Sequence, residues 1–244
     1  MSRMQPRNFT VIRKQLVTPN MLRVTLGGSN MDTLPADQES GYVKLIFITD
    51  SKPIIRTYTI RQQRTDEFDI DFMLHEDGGP ASSWARNCEA GDEIMIGGPG
   101  PKKMIAESGD WFLLVGDMTA LPAISVNLAQ LPDNARGHAV IEVVSEEDIQ
   151  PLTHPEGINL HWAVNPQPGK NETFLLDQVK NLAWLSGLPA VWTACEFSSM
   201  RLLRDYFKHE KGIAKQELYI SSYWKYGSNE DQHKEVKRQD AELA

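Results

Sequence analysis

The 244-residue chain has only two cysteines, Cys88 and Cys195, far apart and in no C-x-x-C pair. That spacing makes neither a disulfide framework nor a cysteine-ligated metal site, and a reduced, cytoplasmic protein is the simplest reading. No apolar run approaches the ~18 residues of a bilayer span, so no membrane segment is expected. The opening MSRMQPRNFT lacks the apolar centre of a signal peptide. Excess positive charge is also missing. Lys and Arg number 25 against 33 Asp and Glu, for a net charge of −8 and a pI near 5.3. A nucleic-acid footprint is therefore not expected, whereas a local basic pocket is compatible with any net charge. Internal repeats and low-complexity segments are absent.

The chain is 41% hydrophobic and 24% charged, an ordinary globular composition. Its length allows one large domain or two small ones. The rhythm changes near residue 105. Before it, six β-rich stretches (9–17, 21–28, 42–49, 54–62, 68–75 and 92–98) follow one another between turn signals, with one helix at 80–88. That spacing predicts an antiparallel barrel or sandwich. After it, strands at 111–116, 139–145, 160–165, 189–195 and 217–224 alternate with helices at 119–131, 174–182 and 198–210. Alternation of this kind predicts a parallel sheet built of βαβ units. The expected organisation is a six-stranded antiparallel β-barrel domain over 1–105, an α/β domain over 106–227, and a polar tail over 228–244, either a solvated helix or disordered. A barrel followed by an α/β domain is a plan that flavin reductases use, although fold alone does not give function.

Three segments carry candidate chemistry. In RTYTI (56–60), period-2 geometry puts Arg56 and Tyr58 on one face and Thr57 and Thr59 on the other. If Tyr58 faces outward, its ring could stack on a flat isoalloxazine. Arg56 could pair with a phosphate as a planar fork, and Thr59 could hydrogen-bond the flavin edge. A half-buried strand with a polar face is the plainer alternative. HEDGGPASSWARNC (75–88) runs from glycines and a proline into a helix with Ser82 and Ser83 in its first turn. Free N–H groups and a partial positive charge at a helix start suit a pyrophosphate; an ordinary helix start is the alternative. DFMLH (71–75) places Asp71, Met73 and His75 on one strand face, where His75 serves either structure or function.

Together these segments resemble the siderophore-interacting protein family, a branch of the ferredoxin reductase-like flavoproteins. The family's Arg-x-Tyr-Ser/Thr strand, Asp-x-x-x-His strand and Gly-Pro-Ala-Ser-x-Trp-Ala helix start read here RTYT, DFMLH and GPASSWA. YVKL (42–45), GDMTALPAI (116–124), ACE (194–196) and SYWKYG (222–227) match further family segments in order. The resemblance implies FAD bound by the first domain. Arg56, Tyr58 and Thr59 would hold the isoalloxazine and ribityl-phosphate region, and Asp71, Met73, Leu74 and His75 would line the flavin and the adenosine side. Gly79, Ala81 and Ser82 would receive the pyrophosphate, and Thr119 would approach from the second domain.

The implied activity is reduction of a ferric siderophore to release Fe(II) in the cytoplasm. The flavin would mediate the electron transfer, and no catalytic side chain or protein metal ligand is needed. Hard oxygen ligands hold Fe(III) far better than Fe(II), so one electron loosens the complex. No side chain supplies that electron readily, and a cofactor must.

Three departures stand out. GGPGPKK (97–103) lacks the arginine of the family's Gly-Pro-Arg-Gly, Lys225 replaces an arginine, and Met118 replaces a glutamate. Lys44, Lys102, Lys103 and Lys225 would attract an anionic ferric complex; each could equally be a solvated surface charge. The donor is NAD(P)H or a reduced ferredoxin. No G-x-G-x-x-G follows strand 111–116, and Arg201 and Arg204 either meet a 2′-phosphate or face water. Two other functions fit the same residues: a general NAD(P)H-flavin oxidoreductase, and a non-catalytic ferric-siderophore binding protein.

Overall fold

The computed structural model describes residues 5–50, 52–74 and 78–243. The chain falls into two compact units, Met1–Lys103 and Met104–Ala244. In the first, strands β1 (Arg7–Thr18), β2 (Met21–Gly27), β3 (Tyr42–Phe47), β4 (Ile54–Thr59), β5 (Gln62–Gln63), β6 (Glu67–Met73) and, after helix α1 (Pro80–Asn87), β7 (Glu93–Gly100) form one sheet. Its order is β4-β3-β7-β1-β2-β6-β5, and every neighbouring pair is antiparallel. Alternation decides which face is core. Phe68, Ile70 and Phe72 of β6 and Leu22, Val24 and Leu26 of β2 join Phe9, Val43, Leu45, Ile94 and Ile96 in one buried cluster. Each such side chain contributes roughly 1.5–3 kcal/mol by leaving water. Gly100 is required by packing: a Cβ there would lie 2.0 Å from Tyr42 Cζ across the ladder.

The antiparallel plan stands, with seven strands in place of six. The stretch read as one strand over 54–62 divides after Thr59. Ile60 N–H donates to Gly41 O (2.8 Å), on the β3 side, and Arg61 N–H donates to Asp69 O (2.9 Å), on the β6 side. β4 and β5 lie at opposite ends of the sheet order, yet only Ile60 and Arg61 separate them. Seven flat strands would hold their edges on the order of 30 Å apart, and three chain steps reach at most about 11 Å. The sheet must therefore curl until its ends meet. They meet through side chains, with the Tyr58 ring of β4 4.4 Å from that of Phe72 of β6. Among the described residues no ladder joins β4 to β6.

The second unit contains β8 (Trp111–Gly116), α2 (Leu121–Gln130), β9 (Arg136–Val143), β10 (Gly157–Val164), α3 (Phe174–Lys180), β11 (Pro189–Glu196), α4 (Phe197–Asp205) and β12 (Leu218–Trp224). A π-helical turn over Tyr206–Glu210 extends α4. The strands are ordered β10-β9-β8-β11-β12 and all pair in parallel. β8 is buried throughout, as expected of a central parallel strand covered on both faces. The order reverses at β8, which makes the C-terminal edge beside it the usual ligand crevice of such sheets. No described helix is long and apolar enough to cross a membrane.

The polar C-terminal segment forms helix α5 (Glu230–Leu243), and its polar residues anchor it. Asp240 accepts both guanidinium nitrogens of Arg204 at 2.5 and 2.8 Å and lies 3.4 Å from Arg201. Arg204 is thus engaged by α5, whereas Arg201 remains largely exposed to solvent. Lys237 Nζ donates to Ser221 Oγ and Ser222 O, and the buried His233 hydrogen-bonds Ser222 Oγ at 2.8 Å. Burial, then the charges of Lys237, Lys225 and Lys234, hold the His233 pKa down to about 4. A folded-state value below the unfolded ~6.5 means stability is intact above pH 6.5, falls as pH drops towards 4, and then levels off. The expected loss is about 2 kcal/mol across that window, and His233→Gln should abolish it. Urea unfolding at pH 7.5 and pH 4.5 checks this; an equal loss in the variant would assign the effect to other groups.

Candidate functional site

In the first unit the candidate residues gather along the seam between β4 and β6. Tyr58 is half-buried and packs on the core through Phe72. Thr57 is the exposed residue, because β4 turns its Tyr58 side into the closing seam. Arg56 is half-buried, with Nη1 donating to Ile55 O at 3.0 Å, and Thr59 is half-buried opposite Tyr42. On β6, Asp71 is committed. Arg23 Nε and Nη2 donate to its two oxygens at 2.6 and 2.8 Å. Such a fork saturates the carboxylate. Met73 and Leu74 are half-buried, and Leu74 packs on the core. His75 lies outside the described residues.

Helix α1 stands beside the seam, with Trp84 5.9 Å from Phe72 and 6.2 Å from Phe47, ring to ring. Its N-cap, Gly79, offers no side-chain cap, and no acidic residue sits in the first turn. A Cβ on Gly79 would meet nothing within 4 Å, so the approach is open. Ala81 and Ser82 are buried, each 3% exposed, and among the described residues Ser82 Oγ has no hydrogen-bond partner. An unpaired buried hydroxyl costs about 1–3 kcal/mol. Together with the unpaired first-turn N–H groups, this donor set fits an anionic group such as a pyrophosphate.

Lys44 is exposed on β3, opposite Thr57. Lys102 and Lys103 are half-buried beyond β7, and the Lys103 carbonyl accepts Ser40 Oγ at 3.2 Å. In the second unit, Lys225 Nζ lies 4.9 Å from the Phe197 ring centroid.

Also in the second unit, Thr119 is bound to Asp117, with its N–H and Oγ1 both donating to Oδ1 at 2.9 and 2.5 Å. Trp224 Nε1 donates to Asp117 Oδ2 at 2.7 Å. Trp224 and Tyr226 close over Gly169 (φ +79°), where a Cβ would lie 2.8 Å from Trp224 Cη2. Glu196 caps α4 by accepting from Ser198 and Ser199 N–H and also accepts Tyr226 N–H. Burial, then the charge of Asp117, pushes Glu142 up to about 8. Burial also raises Asp117, and it drives the Cys195 thiol well above its ordinary value. Sequence reasoning did not single out Asp117, Glu142, Glu196 or Trp224 as site residues. The available signal was a carboxylate at the end of each of three apolar strands, in VGD, IEV and ACE.

Residues 109–227 match the family "Siderophore-interacting protein", and segments 10–52 and 48–103 match the "Siderophore-interacting FAD-binding domain". Ferric vibriobactin reductase ViuB from Vibrio cholerae is 32% identical, over 96% of this chain and 94% of its own. The chain belongs to the siderophore-interacting protein family. The crystal structure of the siderophore-interacting protein SipS from Aeromonas hydrophila superposes with a TM-score of 0.86 at 30% identity over 98% of each chain. The cytochrome b5 reductase domain of Ulva prolifera nitrate reductase shares the fold alone, with a TM-score of 0.65 at 12% identity, over 93% of this chain and 99% of that one. The ferredoxin reductase-like plan is thus shared well beyond the siderophore-interacting proteins.

The Asp71 carboxylate is a structural tie between β6 and β2, through Arg23. Asp71→Ala leaves the half-buried Arg23 guanidinium unpaired, and the expected cost is about 2–3 kcal/mol of unfolding free energy. Urea unfolding of the flavin-free protein measures it. A loss under about 0.5 kcal/mol would show that the pair is dispensable.

Proposed function

We propose that this protein is an FAD-dependent ferric-siderophore reductase, with FAD held in the first unit and electrons delivered to a ferric complex so that Fe(II) is released. The observation that carries the reading is the Ser82 hydroxyl, buried and unpaired at the open start of α1, beside a seam that presents Tyr58, Arg56 and Thr59. The kinship with ferric vibriobactin reductase supports the same chemistry.

Ser82 Oγ and the N–H groups of Ala81 and Ser82 would hold the pyrophosphate, with Gly79 leaving the approach clear. Tyr58 would stack on the isoalloxazine while Phe72 fixes its tilt. Arg56 and Thr59 would hydrogen-bond the ring and ribityl region, and Met73 and Leu74 would line it. FAD supplies redox chemistry that no side chain has, taking two electrons and releasing them singly. The donor is NAD(P)H or a reduced ferredoxin. A nucleotide at the C-terminal edge of the second unit would set its pyrophosphate against Asp117 and Glu196, so these carboxylates favour the protein donor. The site is cytoplasmic on this reading. Anaerobic stopped-flow of the reduced protein against a panel of ferric siderophores tests the activity; reduction of free flavins alone would favour a general flavin oxidoreductase.

Two predictions follow from the anion sites. FAD should bind at least tenfold tighter than riboflavin, and Tyr58→Ala should weaken FAD retention and shift the flavin absorbance bands. Equal affinity for the two flavins by fluorescence titration would remove the phosphate-site argument. The second concerns Lys44, Lys102, Lys103 and Lys225. On a protein of net charge −8, an anionic ferric complex is repelled within a Debye length of ~8 Å unless local cations offset it. Lys44→Glu or Lys225→Glu should slow reduction of an anionic ferric siderophore about tenfold, and added salt should slow the wild type. A neutral iron complex should be affected much less. Equal losses for both substrates would point to damaged cofactor binding instead.

A further inference from the structure

In the second sheet the strand order reverses at β8, so a bound dinucleotide would set its phosphates at the start of the helix that follows, where N–H groups are normally free. At α2 those donors are already used. Thr119 N–H donates to Asp117 Oδ1 at 2.9 Å, and the N–H groups of Ala120 and Leu121 both donate to the Asp117 carbonyl at 3.0 Å. Residue 122 is a proline and has no N–H. Ala123 and Ile124 donate to Ala120 O at 2.9 Å. From Thr119 to Ile124 every backbone donor therefore has an acceptor within the chain, and Asp117 takes three of them.

The indole of Trp224 lies across the same edge. β11 separates β12 from β8, roughly 10 Å between strand axes, yet Trp224 Nε1 donates to Asp117 Oδ2 at 2.7 Å. The other end of the ring reaches the loop after β10, on the far side of the reversal. A Cβ on Gly169 would lie 2.8 Å from Trp224 Cη2 and 3.0 Å from Tyr226 Cβ. Gly169 has φ +79°, a conformation that glycine adopts at no steric cost, and its missing side chain lets the ring settle on the loop. Both ends are held. Tyr226 N–H donates to Glu196 Oε1 at 3.0 Å. On the loop side, Gln167 N–H donates to Asn165 Oδ1 at 3.1 Å, and Asn165 Nδ2 donates to Glu142 Oε1 at 2.8 Å. Trp224 is thus a strap from β12, past the end of β8, to the β10 loop, with its single polar atom bonded.

We propose that Trp224 bars nicotinamide dinucleotides from this edge of the second sheet, so that a redox protein and not a dinucleotide is the donor of the reductase. This rests on the reductase reading above and assigns the choice of donor to one side chain. A dinucleotide would have to break the Trp224–Asp117 hydrogen bond, lift the ring off Gly169, and place its pyrophosphate where Asp117 already takes the N–H groups of α2. Trp224 carries the first two of these barriers. It is a specificity residue that acts by occupying the crevice, and it takes no part in electron transfer.

The test is a calorimetric titration of the FAD-loaded protein with NADP+ and NAD+, which bind without reacting. The wild type should show no saturable binding below ~1 mM, the upper end of ordinary KM values. Trp224→Ala should saturate at least about tenfold below that bound, the gain expected when a ligand no longer has to break a hydrogen bond to a charged acceptor. Trp224→Phe, which loses the N–H and keeps a ring over Gly169, should gain less. If Trp224→Ala does not fold, Gly169→Ala reaches the strap from its other end: the added methyl meets Trp224 Cη2 and should shift affinity in the same direction. Micromolar binding of either dinucleotide by the wild type overturns the proposal. A folded Trp224→Ala that still shows no saturable binding also overturns it, by making Trp224 only a cap on the end of β8. The titration is repeated on flavin-free protein, so a wild type that retained no FAD would overturn the reductase reading while closure of the edge was still measured on its own.

Discussion

Two residues, Ile60 and Arg61, join strands that lie at opposite ends of a seven-stranded order. Everything distinctive about the first unit descends from that short link. The sheet cannot stay open, because the link is too short to bridge its width. It cannot zip shut along β4 either, since the chain has already left for β5. The result is a seam sealed by rings, Tyr58 on Phe72 and Phe72 near Trp84. Beside such a seam a flat ligand can lie along a strand edge, and the open start of α1 sits next to it. The same constraint that shapes the sheet thus produces the candidate site.

The charges on the sheet's outer face belong to the same economy of space. Asp69 and Asp71 are 3% and 7% exposed, and carboxylates so buried are tolerable only with partners. Arg23, Arg64 and Thr25 supply them. This places Asp71 differently from a simple cofactor ligand, because its two oxygens already serve Arg23 and its contribution to a bound flavin would be through backbone and position. The second unit solves a similar problem in another way. Its strand-end carboxylates accept from neutral donors. Asp117 leans on an indole and a hydroxyl, Glu196 on a helix start, and Glu142 on Asn165 at 2.8 Å. Neutral donors hold these groups less strongly than cations would, which is why burial raises Glu142 so far.

Fold class was legible because periodicity changes sharply near residue 105, from alternation to apolar runs separated by helices. Strand positions in the second unit follow those runs to within a few residues. The division of 54–62 was not legible: Ile60 and Arg61 continue the alternation without a glycine or proline, and only tertiary pairing breaks it. The anchoring of the tail helix was not legible for a related reason. Polar composition in GSNEDQHKEVKRQDAELA suggests solvent, yet Asp240, Lys237 and His233 are polar because they bind Arg204, Ser221 and Ser222. The strand β4 and the helix start of α1 that carry the proposed site residues were readable from motif spacing. The orphaned hydroxyl of Ser82 was not, since sequence shows a serine in a first turn and cannot show that its partner is missing.

Sign of charge separates the chemistries these two units could serve. The first unit presents Lys44 to solvent, Lys102 and Lys103 beyond β7, and an anion-competent helix start. The second lines the switch-point edge of its sheet with Asp117 and Glu196 and seals it with Trp224 over Gly169. The two places therefore differ in the sign of the groups they present. Lys225 is the local exception, and its ammonium rests on the Phe197 ring, which offers a cation–π contact in place of an acid. A protein of net charge −8 can therefore still carry local clusters of cations, because net charge does not fix where charges sit.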